Sequence, residues 1–381
     1  MKKRKIAAAV TSAVLLAVLS SVMSSVSRSL DDQNMAERWK GGELDYAQVS
    51  VFYPQSKSPY KETDAENLRN TITEKLKEGA FRPEKNEGAE IWKDAYSSVI
   101  SVSSVFRYDE SSGKTEPAGS DYSVAGVGGG FFEFHPLRLI NGNYIYESEL
   151  DNHRAVLDRQ AAWDMFSSFE ITGMKFILNG VEFEVAGVAD PGDNRDIKKA
   201  YPAAPMVYIH YSALEEAGLD TSLLCYEAVI PDPVTNYARN IVLENFGVNT
   251  MTENETDEDP EKKLDVVIVQ NTDRYSVPKL WKGLREFRTM AVSDRSIAYP
   301  YWENAARMTS VTMEILFLSA LAAALLLFVL CVSEICRLYL NRKWHLKDFL
   351  EDMMYKYTYK KRTSDYITSS ADTGEKSRYD Q

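Results

Sequence analysis

Four groups of residues in this sequence are of types that can do chemistry. Gly113-Lys114-Thr115 reads like the end of a phosphate-binding loop, in which backbone N–H groups and a lysine cradle a phosphate. That motif needs a glycine five positions before Gly113, and Tyr108 stands there, so a polar turn is expected. Gly126, Gly128, Gly129 and Gly130 suggest a dinucleotide loop, yet Phe131 takes the place of the third glycine and the chain continues apolar through Phe134 instead of opening a helix. A flexible turn between strands is the expectation. Asp190, Asp193, Asn194 and Asp196 offer the hard oxygens that calcium takes, but not at EF-hand spacing, and read as a turn after a hairpin. His135, His153 and His210 lack a Gly-x-Ser-x-Gly or His-Glu-x-x-His context and are expected to be surface or hydrogen-bonded structural histidines. A hydrolase would need one of them to meet a carboxylate and a nucleophile in a deep pocket. No CxxC pair or His/Cys cluster occurs, so no metal, cofactor or catalytic site is expected.

Composition sets the frame in which such residues must be held. The chain has 381 residues, 44% hydrophobic and 26% charged, which is too polar for a many-helix membrane protein, so most of it folds in water. A net charge of -12 argues against nucleic acid as a partner, because phosphate contacts need clustered Lys and Arg. Cys331 and Cys336 fall in an apolar run, which leaves Cys225 alone and its domain without an internal disulfide.

Two apolar runs stand out. Ile315 to Ser333 is nineteen residues without a charge, bounded by Glu314 and Glu334. At ~1.5 Å per residue it matches the ~30 Å hydrocarbon layer, which favours a span over a buried core helix. Ile6 to Val26 follows Lys2 to Lys5 and is interrupted by Ser and Thr. A cleaved signal peptide is the competing reading, but the run is longer than a signal core and no Ala-x-Ala follows it, so a retained anchor is expected. Lys2 to Lys5 precede the first run, and Arg337, Arg342, Lys343 and Lys347 follow the second. By the positive-inside rule both ends are cytoplasmic. The expected layout is a cytoplasmic 1–5, a span at 6–26, an outer domain at 27–313, a span at 314–336 and a cytoplasmic tail at 337–381. Ala9, Ala13, Ala17, Ser21 and Ser25 recur every fourth position, with Ser319, Ala320, Ala323 and Ala324 as a counterpart, and such faces let helices approach closely in lipid.

Within the outer domain, strands are expected at 46–53, 97–108, 122–127, 206–211, 224–230 and 264–269. Helices are expected from Thr63, capped with Glu66, to Gly79; over Ala155–Phe166; from Asp232-Pro233 to Gly247; and over Val277–Phe287. Asn179-Gly180 between 174–178 and 181–188 is the tight-turn dipeptide of a hairpin, with Val181, Phe183 and Val185 on its core face. Residues 249–263 read as a solvated acidic loop and the tail past Tyr355 as disordered. The fold class is α+β, in two lobes between two transmembrane helices.

The segments SVAGVGGGFFEFHPLRLINGNYI, AVLDRQAAWDMFSS and ITGMKFILNGVEFEVAGVAD, in that order between Tyr122 and Tyr211, resemble the extracytoplasmic core domain of MacB/FtsX-like ABC transporter permeases. In that family a strand enters Gly-x-x-x-x-Phe-Phe, a Leu-x-x-Gly turn and an aromatic-ended helix follow, and a hairpin closes on Val-x-Gly-Val, here Val185 to Val188. The resemblance implies a non-enzymatic, permease-like subunit of an export or signalling complex, partnered by a cytoplasmic ATPase and/or a multi-span permease subunit, as a homo- or heterodimer in the lipid bilayer. Family permeases carry two further spans where this sequence continues into a hydrophilic tail. There Trp344, Leu346, Phe349, Leu350 and Met353 could form the apolar side of a juxtamembrane helix touching an ATPase or the membrane surface, the other reading being a solvated helix that continues from the span. The alternative function is a membrane-anchored binding or sensor protein without ATPase coupling.

Overall fold

The computed structural model describes residues 2–40, 44–54, 59–79, 81, 90–109, 113–119, 121–247, 265–290, 297–340 and 349–360. In chain order, helix α1 (Lys2–Arg28), a 3-10 turn (Asp31–Gln33) and α2 (Met35–Trp39) precede strand β1 (Tyr46–Phe52) and helix α3 (Glu62–Glu78). Strands β2 (Lys93–Val102), β3 (Val105–Asp109), β4 (Lys114–Pro117) and β5 (Tyr122–Gly129) lead to α4 (Phe131–Phe134), β6 (Arg138–Gly142), β7 (Arg154–Asp158) and α5 (Arg159–Phe166). Then come β8 (Lys175–Leu178), β9 (Val181–Asp190), α6 (Arg195–Ala200), β10 (Met206–His210), α7 (Ala213–Glu216), β11 (Cys225–Pro231) and α8 (Tyr237–Asn245). Strand β12 (Val267–Gln270) and helices α9 (Val277–Met290), α10 (Tyr301–Leu340) and α11 (349–360) complete the chain. By contacts it divides into two units, one of residues 19–318 and one of 1–18 with 319–381.

In the first unit the strands form one mixed sheet, ordered β12-β1-β11-β2-β5-β10-β7-β9-β8-β3-β4, with β6 on β9. Pairing is antiparallel except for β5 with β10 and β7 with β9. Side chains alternate across the pleat, so each central strand feeds two cores. Val49, Tyr226, Val124 and Val207 point to one face, where α3, α5 and α8 supply Leu68, Ala161 and Ile241. Phe52, Val229, Ala125 and Tyr208 point to the other, covered by α2, α4 and the first turns of α10. The α+β domain expected between the apolar helices is thus present, its two clusters being the two faces of one sheet.

Local signals explain many elements. Asn179 and Gly180 both have positive φ, 49° and 93°, as the tight hairpin turn requires, and Val181, Phe183 and Val185 face inward as expected. Four sequence expectations are corrected. Residues 155–158 are strand β7, and the helix starts at Arg159, capped by Asp158, whose carboxylate accepts from the Ala161 N–H at 2.7 Å. The cap of α3 is set by Asp64, which accepts from the Lys61 N–H at 2.8 Å, instead of by Thr63 and Glu66. Helix α8 begins at Tyr237, not at Asp232, although Asp232 still accepts from the Ala238 N–H at 3.0 Å.

The fourth concerns the glycine run, which is not a turn between strands: Gly126 and Gly128 lie inside the central strand β5, Gly130 alone stands in a turn, and Phe131–Phe134 does open a short helix. The glycines are there for close approach. A Cβ on Gly126 would sit 2.3 Å from Leu214 of α7, and one on Gly128 would sit 2.2 Å from the ring of Tyr96, its cross-strand partner. Gly113, with a φ of 65°, lies in the polar turn expected there, while Lys114 and Thr115 already begin strand β4, Lys114 opposite Asp109. Residues 249–263 and Leu264 lie outside the described residues, and the last expected strand is seen as β12.

Helices α1, from Arg4, and α10 are long and apolar enough to cross a membrane. Val10, Val14, Leu325 and Phe328 are more than half exposed on them. Exposed apolar side chains in such runs are what a lipid environment accommodates.

Candidate functional site

The chemistry-bearing side chains gather on the face of the sheet that α10 covers. Glu227 sits in β11 between Tyr226 and Ala228, so alternation turns it away from their core and toward α10. Its Oε1 accepts from Ser50 Oγ at 2.6 Å, directly across in β1, and its Oε2 lies 2.5 Å from His135 Nε2. His135 follows the last residue of α4 and is fully buried. Its Nδ1 lies 2.8 Å from Asp32 Oδ1, in the 3-10 turn just after α1. Trp302, at the start of α10, tilts over the imidazole with centroids 3.9 Å apart, and Phe131 approaches it at 4.8 Å. Burial disfavours the imidazolium, but the Glu227 and Asp32 carboxylates outweigh it and raise the His135 pKa to about 9.

Gln48 of β1 fixes the turn that carries Asp32. Its Nε2 donates to the Asp32 carbonyl at 2.7 Å, and its Oε1 accepts from the Met35 N–H at 3.0 Å. On the same face Arg274, after β12, donates to both oxygens of Glu303 at 2.7 and 2.9 Å and to Gln33 Oε1 at 3.2 Å. Glu303 is fully buried and also accepts from Arg307 Nε, one turn on, at 2.8 Å. Burial opposes the Arg274 cation, but Glu303 more than compensates and holds its pKa above the usual value. Tyr275 donates to the Ala306 carbonyl at 3.1 Å and Thr309 to Asp196 at 3.0 Å. The segment leaving α1 and the first turns of α10 are therefore fastened to one side of the sheet by buried ionic and hydrogen-bonded contacts.

This arrangement holds charges apart from solvent. Both ring nitrogens of His135 face carboxylates, and Ser50, the hydroxyl in the network, donates to Glu227 and accepts from Asn271 Nδ2 at 2.7 Å. The hydroxyl is not set against the imidazole as a nucleophile would be. His153 is on the surface, 3.0 Å from Glu216, and His210 is buried elsewhere. Asp193 bonds Lys198 and Arg138, and Asn194 caps α6.

Among the residues proposed from sequence for helix packing, Ala320 is buried, Ala9 and Ala324 are half-buried, and Ala13, Ala17, Ser21 and Ser25 are exposed. In the second unit the close contact is made by buried Ser12, whose hydroxyl donates to the Ala323 carbonyl at 2.7 Å. The buried and half-buried positions of α1 there, Lys5, Ala9, Ser12 and Leu16, alternate by four and three instead of recurring every four. Phe349 and Leu350 are exposed on α11, whereas Trp344 and Leu346 lie outside the described residues. The network around His135 was not assigned from sequence. Its traces are a glutamate inside the strand CYEAVIP and the Trp302-Glu303 pair ahead of an apolar run.

Comparison with known proteins gives this geometry a family. No curated protein matches the chain. Among solved structures, the periplasmic region of MacB from Actinobacillus actinomycetemcomitans is 17% identical, with a TM-score of 0.39 over 65% of this chain and 93% of that one. The extracellular domain of the noncanonic ABC-type transporter YknZ from Gram-positive bacteria is 15% identical, with a TM-score of 0.35 over 53% and 96%. A domain of a permease protein from Porphyromonas gingivalis is 12% identical, with a TM-score of 0.31 over 59% and 88%. The assignment rests on the sequence profile rather than on these superpositions. Residues 6–242, more than half the chain, match the profile of the MacB-like periplasmic core domain. The chain thus belongs to the family of MacB-like periplasmic core domains.

Proposed function

We propose that this chain is a non-enzymatic, permease-like subunit of an ABC-type export or transmembrane signalling complex, in which a cytoplasmic partner ATPase moves the outer domain through α1 and α10. The supporting observation is the fastening of the segment after α1 and the start of α10 to one face of the sheet, through Asp32–His135–Glu227 and Arg274–Glu303. Pulling either helix end away would strand a buried charge, which costs about 3–5 kcal/mol, a large fraction of the roughly 5–15 kcal/mol by which folded domains are ordinarily stable. Displacing the sheet with the helices is the cheaper response.

In this reading both termini are cytoplasmic, and residues 27–313 stand outside. Lysines before the first apolar run and arginines after the second support that orientation. The exposed Ala13, Ala17, Ser21 and Ser25 suit close approach by a second chain in lipid, alongside the contact of Ser12 with Ala323 and the buried or half-buried Ala9, Ala320 and Ala324. Exposed Phe349 and Leu350, with Trp344 and Leu346 before them in sequence, suit contact with the ATPase or the inner membrane surface.

Affinity purification of the full chain from membranes in a mild detergent tests the complex. The expected result is co-elution of an ABC ATPase, alone or with a multi-span permease subunit. Elution free of both, under conditions that keep other ABC complexes intact, would overturn ATPase coupling and leave a membrane-anchored binding or sensor protein.

A further inference from the structure

A cleft of about 660 Å³ opens beside the fastening network. Its walls include Met23 and Ser24, in the last part of the first apolar run, and Met313, just before the second. If α1 and α10 cross the bilayer, as in the function proposed above, this cleft lies at the outer headgroup level, where a lipid reaches it sideways without leaving the membrane.

Two buried amides line the cleft with one atom each unsatisfied. Gln33 and Asn271 are 4% and 3% exposed, and among the described residues Gln33 Nε2 and Asn271 Oδ1 have no hydrogen-bond partner. Their orientations follow from the network. Gln33 accepts from Arg274 through its oxygen, which leaves the nitrogen over. Ser50 spends its proton on Glu227 and must accept from Asn271 Nδ2, which leaves the Asn271 oxygen over. A buried polar atom left unpaired costs about 1–3 kcal/mol, so a donor and an acceptor here favour an occupant that offers the complementary pair.

The charges on the walls narrow the choice. Arg28, Arg38 and Arg274 are balanced by Asp31, Glu37 and Asp273, so a net anionic headgroup gains no overall attraction. A headgroup with a phosphate and a primary ammonium fits both the zero balance and the hydrogen bonds. We propose that the cleft seats a phosphatidylethanolamine-type headgroup, whose phosphate accepts from Gln33 Nε2 and whose ammonium donates to Asn271 Oδ1. A quaternary ammonium, with no N–H to donate, leaves the second bond unmade.

The test is lipid retention by the full chain purified in detergent after equilibration with equal amounts of phosphatidylethanolamine and phosphatidylcholine of the same acyl chains, with bound lipid counted by native mass spectrometry. The expected result is a preference for the ethanolamine lipid on the order of tenfold, the effect of one charge-assisted hydrogen bond. Asn271→Leu, of similar volume but without the acceptor oxygen, should bring the ratio close to one, whereas Gln33→Glu keeps the acceptor for Arg274, removes the phosphate donor that both lipids share, and should lower the retention of both without changing their ratio. Equal retention of the two lipids by the unaltered chain would overturn the proposal, whatever the variants do. So would an Asn271→Leu chain that keeps the full preference, or a Gln33→Glu chain that retains both lipids as well as the unaltered chain does. Recovery of the chain in the soluble fraction would overturn it through the spanning reading on which it rests, whereas a membrane-embedded chain without headgroup preference overturns the proposal alone.

Discussion

Glu303→Gln is expected to destabilise the full chain in detergent by roughly 3–5 kcal/mol, read from chemical denaturation, because it removes the counter-charge of a buried guanidinium. The Arg274 side chain is 14% exposed and Glu303 is fully enclosed, so water cannot take over the lost pairing. Arg307 suffers less, because it is 41% exposed and lies 3.6 Å from the ring centroid of Tyr299. The physical origin can be separated from mere disruption. If the loss comes from a stranded charge, Arg274→Met combined with Glu303→Leu should recover most of the stability, because no charge is then left buried without a partner. A double variant as unstable as the single one would show instead that the pair itself builds the junction between the sheet and α10.

The second large effect is on pH dependence. His135 has a folded pKa of about 9 against an ordinary value near 6.5, so the folded state holds its proton more tightly than the unfolded state does. Its contribution is fully present below about pH 6.5 and is lost as pH rises through about 9, a fall of about 3 kcal/mol at most. The groups facing the ring are Asp32 of the 3-10 turn, Glu227 of β11, Trp302 of α10 and Phe131 of α4. Denaturation of the full chain between pH 6 and 9.5 should show that fall, and His135→Gln, less stable at pH 6, should flatten it. A wild-type curve no steeper than the variant's across this window would mean that the imidazole is held neutral.

How much of this was legible in the sequence depends on the distance over which each feature is encoded. The hairpin around Asn179-Gly180 was readable because its turn conformation, strand alternation and core face are all local. The start of α5 was misplaced because Ala155 to Leu157 are apolar and fit either periodicity. Their strand state is decided by pairing with β9 and β10, far along the chain. The glycine run misled for a similar reason: Gly126 and Gly128 answer to Leu214 and Tyr96, which no local pattern reveals. The network around His135 lies at the far end of this scale. Asp32, His135, Glu227, Arg274 and Glu303 are scattered over some 270 residues, and only the sheet order brings β1, β11 and β12 side by side beneath α10. The family was readable earlier than the site because its signals are short apolar segments in a fixed order, which register the fold and not the ionic contacts built on it.

The most direct test of the central claim, an outer domain held by two membrane-crossing helices, is thiol labelling of intact cells with a small membrane-impermeant maleimide. Starting from a chain with its cysteines replaced, Glu170→Cys reports on the exposed surface of the sheet domain and Thr358→Cys on the tail. The account predicts labelling at position 170 in intact cells and at 358 only after the membrane is permeabilised. Labelling at 358 in intact cells with 170 protected until permeabilisation would contradict it.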